Sequence, residues 1–137
     1  GVRAAYAIAP AAGAQALQAR IERLAPSWPV GAHGAALLAS WTAPDTQDWL
    51  ARSLDTLGHW KALQIEMLGG LGWHCMPSDA NFFCARPPRP YGSFSSALRA
   101  QGIKLRDCAS FGLPDLVRLG VLAPASQLAL LKGLRPQ

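Results

Sequence analysis

Residues 105–121 read Leu105-Arg106-Asp107-Cys108-Ala109-Ser110-Phe111-Gly112-Leu113-Pro114-Asp115-Leu116-Val117-Arg118-Leu119-Gly120-Val121 and are the most informative part of the chain. Apolar residues cluster at the C-terminal end of this stretch, whereas its middle is rich in small residues and turn formers. The pattern predicts a strand over 103–107, a turn-rich loop over 108–115 and a strand over 116–122. The apolar residues of 125–134 then predict a closing helix.

Each of the two predicted strands contains one arginine, Arg106 in the first and Arg118 in the second. A guanidinium group inside an apolar strand is costly unless it meets an anion, and its planar fork of N–H donors suits a carboxylate or a phosphate. The alternative is a structural ion pair, for which Asp107 and Asp115 are available. Residue types alone leave both interpretations open.

Further elements are predicted upstream of this stretch. A strand is expected over 80–85 and a helix over 93–101, with Ser93 as its N-cap and Gly102 directly after its last turn. Together with the elements of 103–134 they form a β-α-β-β-α unit. Apolar periodicity also predicts helices over 14–24, 32–41 and 45–68 and a strand over 2–8.

The first residue of the chain is Gly1, so the chain starts without methionine and inside the alternating pattern of its first predicted strand. We therefore expect a fragment of a longer protein. A strand and an apolar helix without the rest of their sheet would leave a hydrophobic face uncovered.

The composition narrows the possible functions. Hydrophobic residues make up 50% of the chain and charged residues 15%, which is typical of a globular α/β protein. The formal net charge is +5, but the 13 Lys and Arg residues form no basic stripe, so nucleic-acid binding is not expected. No apolar stretch reaches the length of about 18 residues that a membrane span requires. Anionic small molecules are the expected partners.

Cysteine and histidine usage points to a reducing compartment and against a metal site. Cys75, Cys84 and Cys108 are odd in number and form no CxxC pair, so we expect reduced thiols in a cytoplasmic protein. The three histidines and three cysteines lack the paired short spacings of zinc sites. No nucleophile elbow and no glycine-rich phosphate loop occurs.

Several segments, taken in order, resemble the class I and II family of pyridoxal-phosphate-dependent aminotransferases. Gly1-Val2-Arg3-Ala4-Ala5-Tyr6 is similar to the family's Gly-x-Arg-x-Gly-Tyr stretch, although Ala5 stands where a glycine is usual. Trp28-Pro29-Val30 resembles the segment that leaves the large domain, and Pro77-Ser78-Asp79-Ala80-Asn81-Phe82-Phe83 resembles the first strand of the small domain. Residues 105–121 are the most specific, and they are similar to the threonine-phosphate decarboxylase subfamily, a relative of the histidinol-phosphate aminotransferases.

The resemblance implies an α/β fold, the C-terminal part of a fold-type I pyridoxal-phosphate-dependent transferase. Residues 1–42 would be the remnant of the cofactor-binding large domain, 43–72 the connecting helix and 73–137 the small β-α-β-β-α domain. The lysine that carries pyridoxal 5'-phosphate would lie before Gly1. No catalytic residue is therefore expected within the chain, and the chain alone should be inactive.

The resemblance also implies roles for four residues. Arg3 would contact the cofactor phosphate, Arg118 the carboxylate or phosphate of the substrate, Arg106 a second substrate anion, and Asn81 would lie in the substrate site. The implied enzyme is a homodimer that decarboxylates L-threonine O-3-phosphate to (R)-1-aminopropan-2-ol O-2-phosphate for cobalamin biosynthesis. A histidinol-phosphate or other class I or II aminotransferase is the alternative, and a stand-alone anion-binding or interaction module is a second one.

Overall fold

The computed structural model describes residues 2–135, so Gly1, the first residue of the quoted Gly-x-Arg motif, lies outside them. The described chain divides into two compact units, one through Ala51 and one from Arg52. The domain boundaries expected near 42 and 72 stay a prediction. None of the described helices combines the length and the hydropathy that crossing a membrane requires.

The helices follow the sequence closely, but the first predicted strand does not. Helix α1 covers Ala14–Leu24, α2 covers Ala32–Ser40 and α3 covers Pro44–Gly69. The strand predicted over 2–8 is wrong, because residues 2–10 form no strand. Alternation produces a strand only where a neighbour completes the hydrogen-bond ladder, and the described part of the first unit contains no strand that could do so.

The second unit contains an antiparallel sheet of four strands in the order β1-β2-β4-β3. Its elements are β1 (His74–Cys75), β2 (Phe82–Arg86), α4 (Ser95–Ala100), β3 (Arg106–Asp107), β4 (Val117–Gly120) and α5 (Pro124–Leu134). The predicted β-α-β-β-α unit lacked β1, a two-residue edge strand too short to show an alternating pattern.

Helix α4 ends where the sequence predicts, but it does not begin there. Ser93 is not the N-cap, because its hydroxyl donates to the carbonyl of Pro90 at 2.7 Å and the helix begins two residues later. The stop at Gly102 is confirmed. Its φ is 75°, and the N–H of Ile103 donates to the carbonyl of Leu98 at 2.9 Å, which closes the helix in a Schellman motif.

One face of the sheet packs against the helices and forms the core. Along β2 and β4 the burial alternates, with Phe83, Ala85, Val117 and Leu119 buried and their neighbours more exposed. The buried set packs with apolar residues from all three helices of this unit, namely Leu68, Leu98 and Leu130. The opposite face of the sheet is therefore left to its polar and aromatic side chains.

Two buried glutamines fix the end of β4 to the helices. The side-chain amide of Gln64 donates to the Gly120 carbonyl at 3.1 Å, and its carbonyl accepts the N–H of Leu122 at 3.4 Å. Gln127 donates to the carbonyls of Trp60 at 2.9 Å and of Leu122 at 2.8 Å. Sequence reasoning missed this role, because a glutamine on a helix is usually solvated.

Candidate functional site

Arg106, Arg118 and Cys84 lie side by side on the open face of the sheet. In the strand register, Arg118 of β4 is directly opposite Cys84 of β2 on one side and Arg106 of β3 on the other. Arg118 lies in an apolar strand, as predicted, but its side chain is exposed between buried Val117 and Leu119, so the expected cost of burying a guanidinium does not arise. Only one face of β4 is covered, which apolar neighbours in sequence do not reveal.

Because Arg106 and Arg118 are both exposed, burial does not require an anionic partner for them. The closeness of their two positive charges favours one instead. Directly opposed residues of antiparallel strands have Cβ atoms roughly 4.5–5.5 Å apart, and like charges at that spacing destabilise the pair. An anion bound between Arg106 and Arg118 would turn this repulsion into attraction. The register alone thus makes the pair a candidate anion site.

Aromatic rings contact both guanidinium groups. The guanidinium carbon of Arg118 lies 5.0 Å from the ring centre of Phe82 and 6.0 Å from that of Phe111. The guanidinium carbon of Arg106 lies 5.4 Å from the Phe111 ring centre. A contact with a ring engages the positive charge but leaves the N–H donors in the guanidinium plane available to an anion.

The register also bears on the structural ion pair considered for Arg118. Asp107 is directly opposite Val117, and its carboxylate accepts the N–H of Ala109 at 2.7 Å. Successive strand residues point to opposite faces, so Asp107 does not share the face of Arg118. The position opposite Arg118 holds Arg106 instead of an acid, which favours anion binding over a structural pair.

A pair of thiols adjoins the arginines. The sulfur atoms of Cys84 and Cys108 are 3.9 Å apart. Burial raises the pKa of the Cys108 thiol above its ordinary value of 9.0, and the hydrogen bond to Cys84 raises this pKa further, whereas the charge of Arg118 lowers it. Because the raised pKa keeps the Cys108 thiol neutral near pH 7, this thiol does not neutralise the arginine pair.

Asn81 lies next to a different cavity. It precedes β2, and its backbone carbonyl accepts the N–H of Val121 at 2.9 Å. With Lys61 and Asp79 it lines a cavity of about 220 Å³ that neither Arg106 nor Arg118 lines. Lys61 donates to the carbonyls of Ser78 and, at 2.9 Å, of Ala80, and thereby fixes the loop before β2. The substrate role of Asn81 stays a prediction.

Arg3 belongs to the first unit and is exposed. Its segment lies close to α2, since a Cβ added at Gly34 would come 3.4 Å from the Cβ of Ala4 and 3.6 Å from the carbonyl oxygen of Arg3. The exposure of Arg3 leaves its guanidinium accessible to an anion. That role also stays a prediction.

Comparisons with known proteins agree with one another. The family model described as aminotransferase class I and II matches residues 1–132. A histidinol-phosphate aminotransferase of Symbiobacterium thermophilum is 32% identical over 120 residues, which cover 85% of this chain and 33% of the relative. Histidinol-phosphate aminotransferase 2 of Pseudomonas aeruginosa is 28% identical over 133 residues, with coverages of 97% and 34%. The chain spans about a third of the length of these curated relatives.

Solved structures show the same fold. A decarboxylase of Sulfurospirillum multivorans matches with a TM-score of 0.75 at 20% identity, covering 88% of this chain and 35% of that one. The histidinol-phosphate aminotransferase of Clostridium acetobutylicum gives 0.73 at 21% identity, with coverages of 88% and 37%. L-Threonine-O-3-phosphate decarboxylase of Porphyromonas gingivalis gives 0.60 at 20% identity, with coverages of 88% and 38%.

Proposed function

Because this chain belongs to the class I and II aminotransferase family, whose members depend on pyridoxal 5'-phosphate, we propose that it forms the C-terminal part of an enzyme acting on a phosphorylated amino compound. Its fold is that of the C-terminal portion of fold-type I pyridoxal-phosphate-dependent transferases. The observation that carries the proposal is the direct opposition of Arg106 and Arg118 on the open face of the sheet.

The proposed roles of the three arginines follow from their positive charge, which suits the anionic groups of the cofactor and the substrate. When bound, the cofactor supplies a pyridine ring that accepts electrons released at the substrate α-carbon. Arg3 would donate to the phosphate of the cofactor. Arg118 and Arg106 would hold the anionic groups of the substrate and so orient the α-carbon. The complete enzyme would be a homodimer, as the resemblance implies.

L-Threonine O-3-phosphate is the first proposed substrate. It carries a phosphate and a carboxylate, and the site offers two guanidinium groups, so the number of cations fits the number of anions. The stretch 105–121 supports the same assignment through its similarity to the threonine-phosphate decarboxylases. The products would be carbon dioxide and (R)-1-aminopropan-2-ol O-2-phosphate.

Histidinol phosphate is the second proposed substrate. The names of the curated relatives favour it, since the two described above are histidinol-phosphate aminotransferases. This substrate carries a phosphate but no carboxylate, so Arg106 and Arg118 would bind a single dianionic group together. The reaction would then be amino transfer instead of decarboxylation.

The test uses the whole protein to which this chain belongs, loaded with cofactor and assayed with both substrates. Arg118→Lys and Arg106→Lys retain the charge but lose the planar fork of donors. We expect each to lower kcat/KM by roughly tenfold to a hundredfold, because hydrogen bonds to charged groups contribute about 1.5–3 kcal/mol. Arg118→Ala should lower it further.

The matched control is Arg99→Lys, which alters an exposed arginine of α4. It should leave both kcat/KM and the melting temperature unchanged. A structural role for Arg118 predicts a lower melting temperature with normal kinetics in the folded enzyme. Unchanged kinetics in both arginine variants would refute the proposed site.

A further inference from the structure

Phe111 combines exposure with contacts to both arginines. Its side chain is 56% exposed, and its ring lies 5.4 Å from the guanidinium carbon of Arg106 and 6.0 Å from that of Arg118. Phe82 contacts Arg118 alone, at 5.0 Å. A ring this exposed contributes little to the core, but it contacts both arginines.

The backbone that carries Phe111 is well defined. Residues Ala109–Phe111 form a short 3-10 turn in which the N–H of Phe111 donates to the carbonyl of Cys108 at 2.9 Å. Asp107 accepts the N–H of Ala109 at the start of the turn, and Gly112, with a φ of 75°, ends it. The positive φ favours glycine at this position. The turn therefore presents the ring from a fixed backbone.

We propose that Phe111 is a positioning residue that holds Arg106 and Arg118 as a pair for one dianionic phosphate group, the arrangement described for histidinol phosphate and not the one-anion-per-arginine arrangement described for L-threonine O-3-phosphate. The inference rests on the anion site proposed above. A ring shared by two guanidinium groups offsets part of their repulsion and restricts two flexible side chains before the ligand arrives. A paired arrangement favours a doubly charged phosphate over a singly charged carboxylate, because both cations then act on one group.

The expected loss of phosphate affinity follows from the two cation–π contacts that Phe111 makes. Cation–π contacts at exposed sites contribute enough that losing two of them weakens binding by roughly fivefold to thirtyfold. Phe111→Leu removes the ring from both arginines, whereas Phe82→Leu removes it from Arg118 alone. Phe111→Tyr retains the ring. Leu113→Ala alters another exposed residue of the same loop and serves as the control.

The experiment is a calorimetric titration of the whole protein with inorganic phosphate and, separately, with acetate. The protein is loaded with cofactor so that the cofactor-phosphate site is filled. We expect Phe111→Leu to raise the Kd for phosphate by roughly fivefold to thirtyfold and the Kd for acetate by less. Phe82→Leu should have a smaller effect, and Phe111→Tyr and Leu113→Ala should match the unmodified protein.

Two outcomes separate this inference from the proposed function. If Arg106→Lys and Arg118→Lys weaken phosphate binding but Phe111→Leu does not, the role of Phe111 is refuted and the anion site stands. If the unmodified protein binds no phosphate, or the arginine variants bind it normally, the anion site fails and the role of Phe111 fails with it. Equal weakening by Phe111→Leu and Phe111→Tyr would also refute the role of the ring.

Discussion

The two units of the chain differ most in what covers their apolar side chains. In the second unit Leu68, Phe83 and Leu98 are 0% exposed, inside a core shared by the sheet and three helices. In the first unit Leu24 is 87% exposed, Trp28 is 91% exposed, and α1 contains no buried residue. Helical periodicity is sufficient to specify a helix, but burial of its apolar side requires a second layer.

The largest effect expected from this difference concerns assembly. The uncovered apolar side chains of the first unit should make the 137-residue chain associate. Changing Leu24 and Trp28 together to Asp should shift the sedimentation profile towards the monomer. Leu128→Asp, which alters an exposed leucine of α5, is the control and should not. A stable, compact monomer of the unmodified chain would contradict the expectation.

Core substitutions should give the next largest contrast. Phe83→Ala should lower the free energy of unfolding by roughly 3–5 kcal/mol, because it opens a cavity in the sheet–helix core. Ile8→Ala, at a residue 87% exposed, should change this free energy by less than about 0.5 kcal/mol. Urea unfolding measures both values. Similar losses in the two variants would show that Ile8 packs in solution as firmly as Phe83.

Removing a buried glutamine, Gln64, and an exposed one, Gln18, should change the free energy of unfolding by different but smaller amounts. Gln64→Ala should lower the free energy of unfolding by about 1–3 kcal/mol, because it removes a buried side chain and its hydrogen bonds to the backbone at the end of β4. Gln18→Ala removes an exposed hydrogen bond to Glu22 within α1 and should cost about 0.5 kcal/mol or less. Urea unfolding of the two variants measures the difference, and an unchanged Gln64→Ala protein would contradict it.

The smallest expected effect depends on pH and belongs to the second unit. Burial raises the pKa of the thiols of Cys75 and Cys108 above 9.0. The folded state therefore holds these protons more tightly than the unfolded state does. Their contribution to stability is complete below pH 9 and is lost as the pH rises through the folded-state values.

The measurement is the free energy of unfolding from pH 8 to pH 11 in reducing buffer. We expect it to fall with rising pH, and Cys108→Ala should make the fall shallower. The control is Ser110→Ala, which alters a residue of the same loop whose side chain does not titrate in this pH range. An identical pH dependence in Cys108→Ala and the unmodified chain would show that this thiol does not contribute.

Part of the candidate site could be predicted from the sequence. The sequence indicates Arg106 and Arg118 because each lies in one of two predicted strands joined by a loop and matches the family resemblance, and the structure places them directly opposite each other. Their surroundings could not be predicted in this way. The position of Cys84 depends on the pairing of β2 with β4, which joins residues far apart in sequence. The contacts of Phe111 depend on the conformation of the turn after β3 and on the pairing of β3 with β4.

The sequence by itself determined the features that arise within one segment. Helices α1, α2, α3 and α5 follow from apolar periodicity, and the stop after α4 follows from a glycine that readily adopts positive φ. The family likeness also lies in consecutive residues.

Only the tertiary structure decided which predicted strand became a strand and which face of it was covered. Residues 2–8 alternate like a strand but pair with no strand within residues 2–135, and Arg118 is exposed although its neighbours are buried. The physical reason is that strand hydrogen bonds and burial are supplied by other parts of the chain, which a local pattern does not contain.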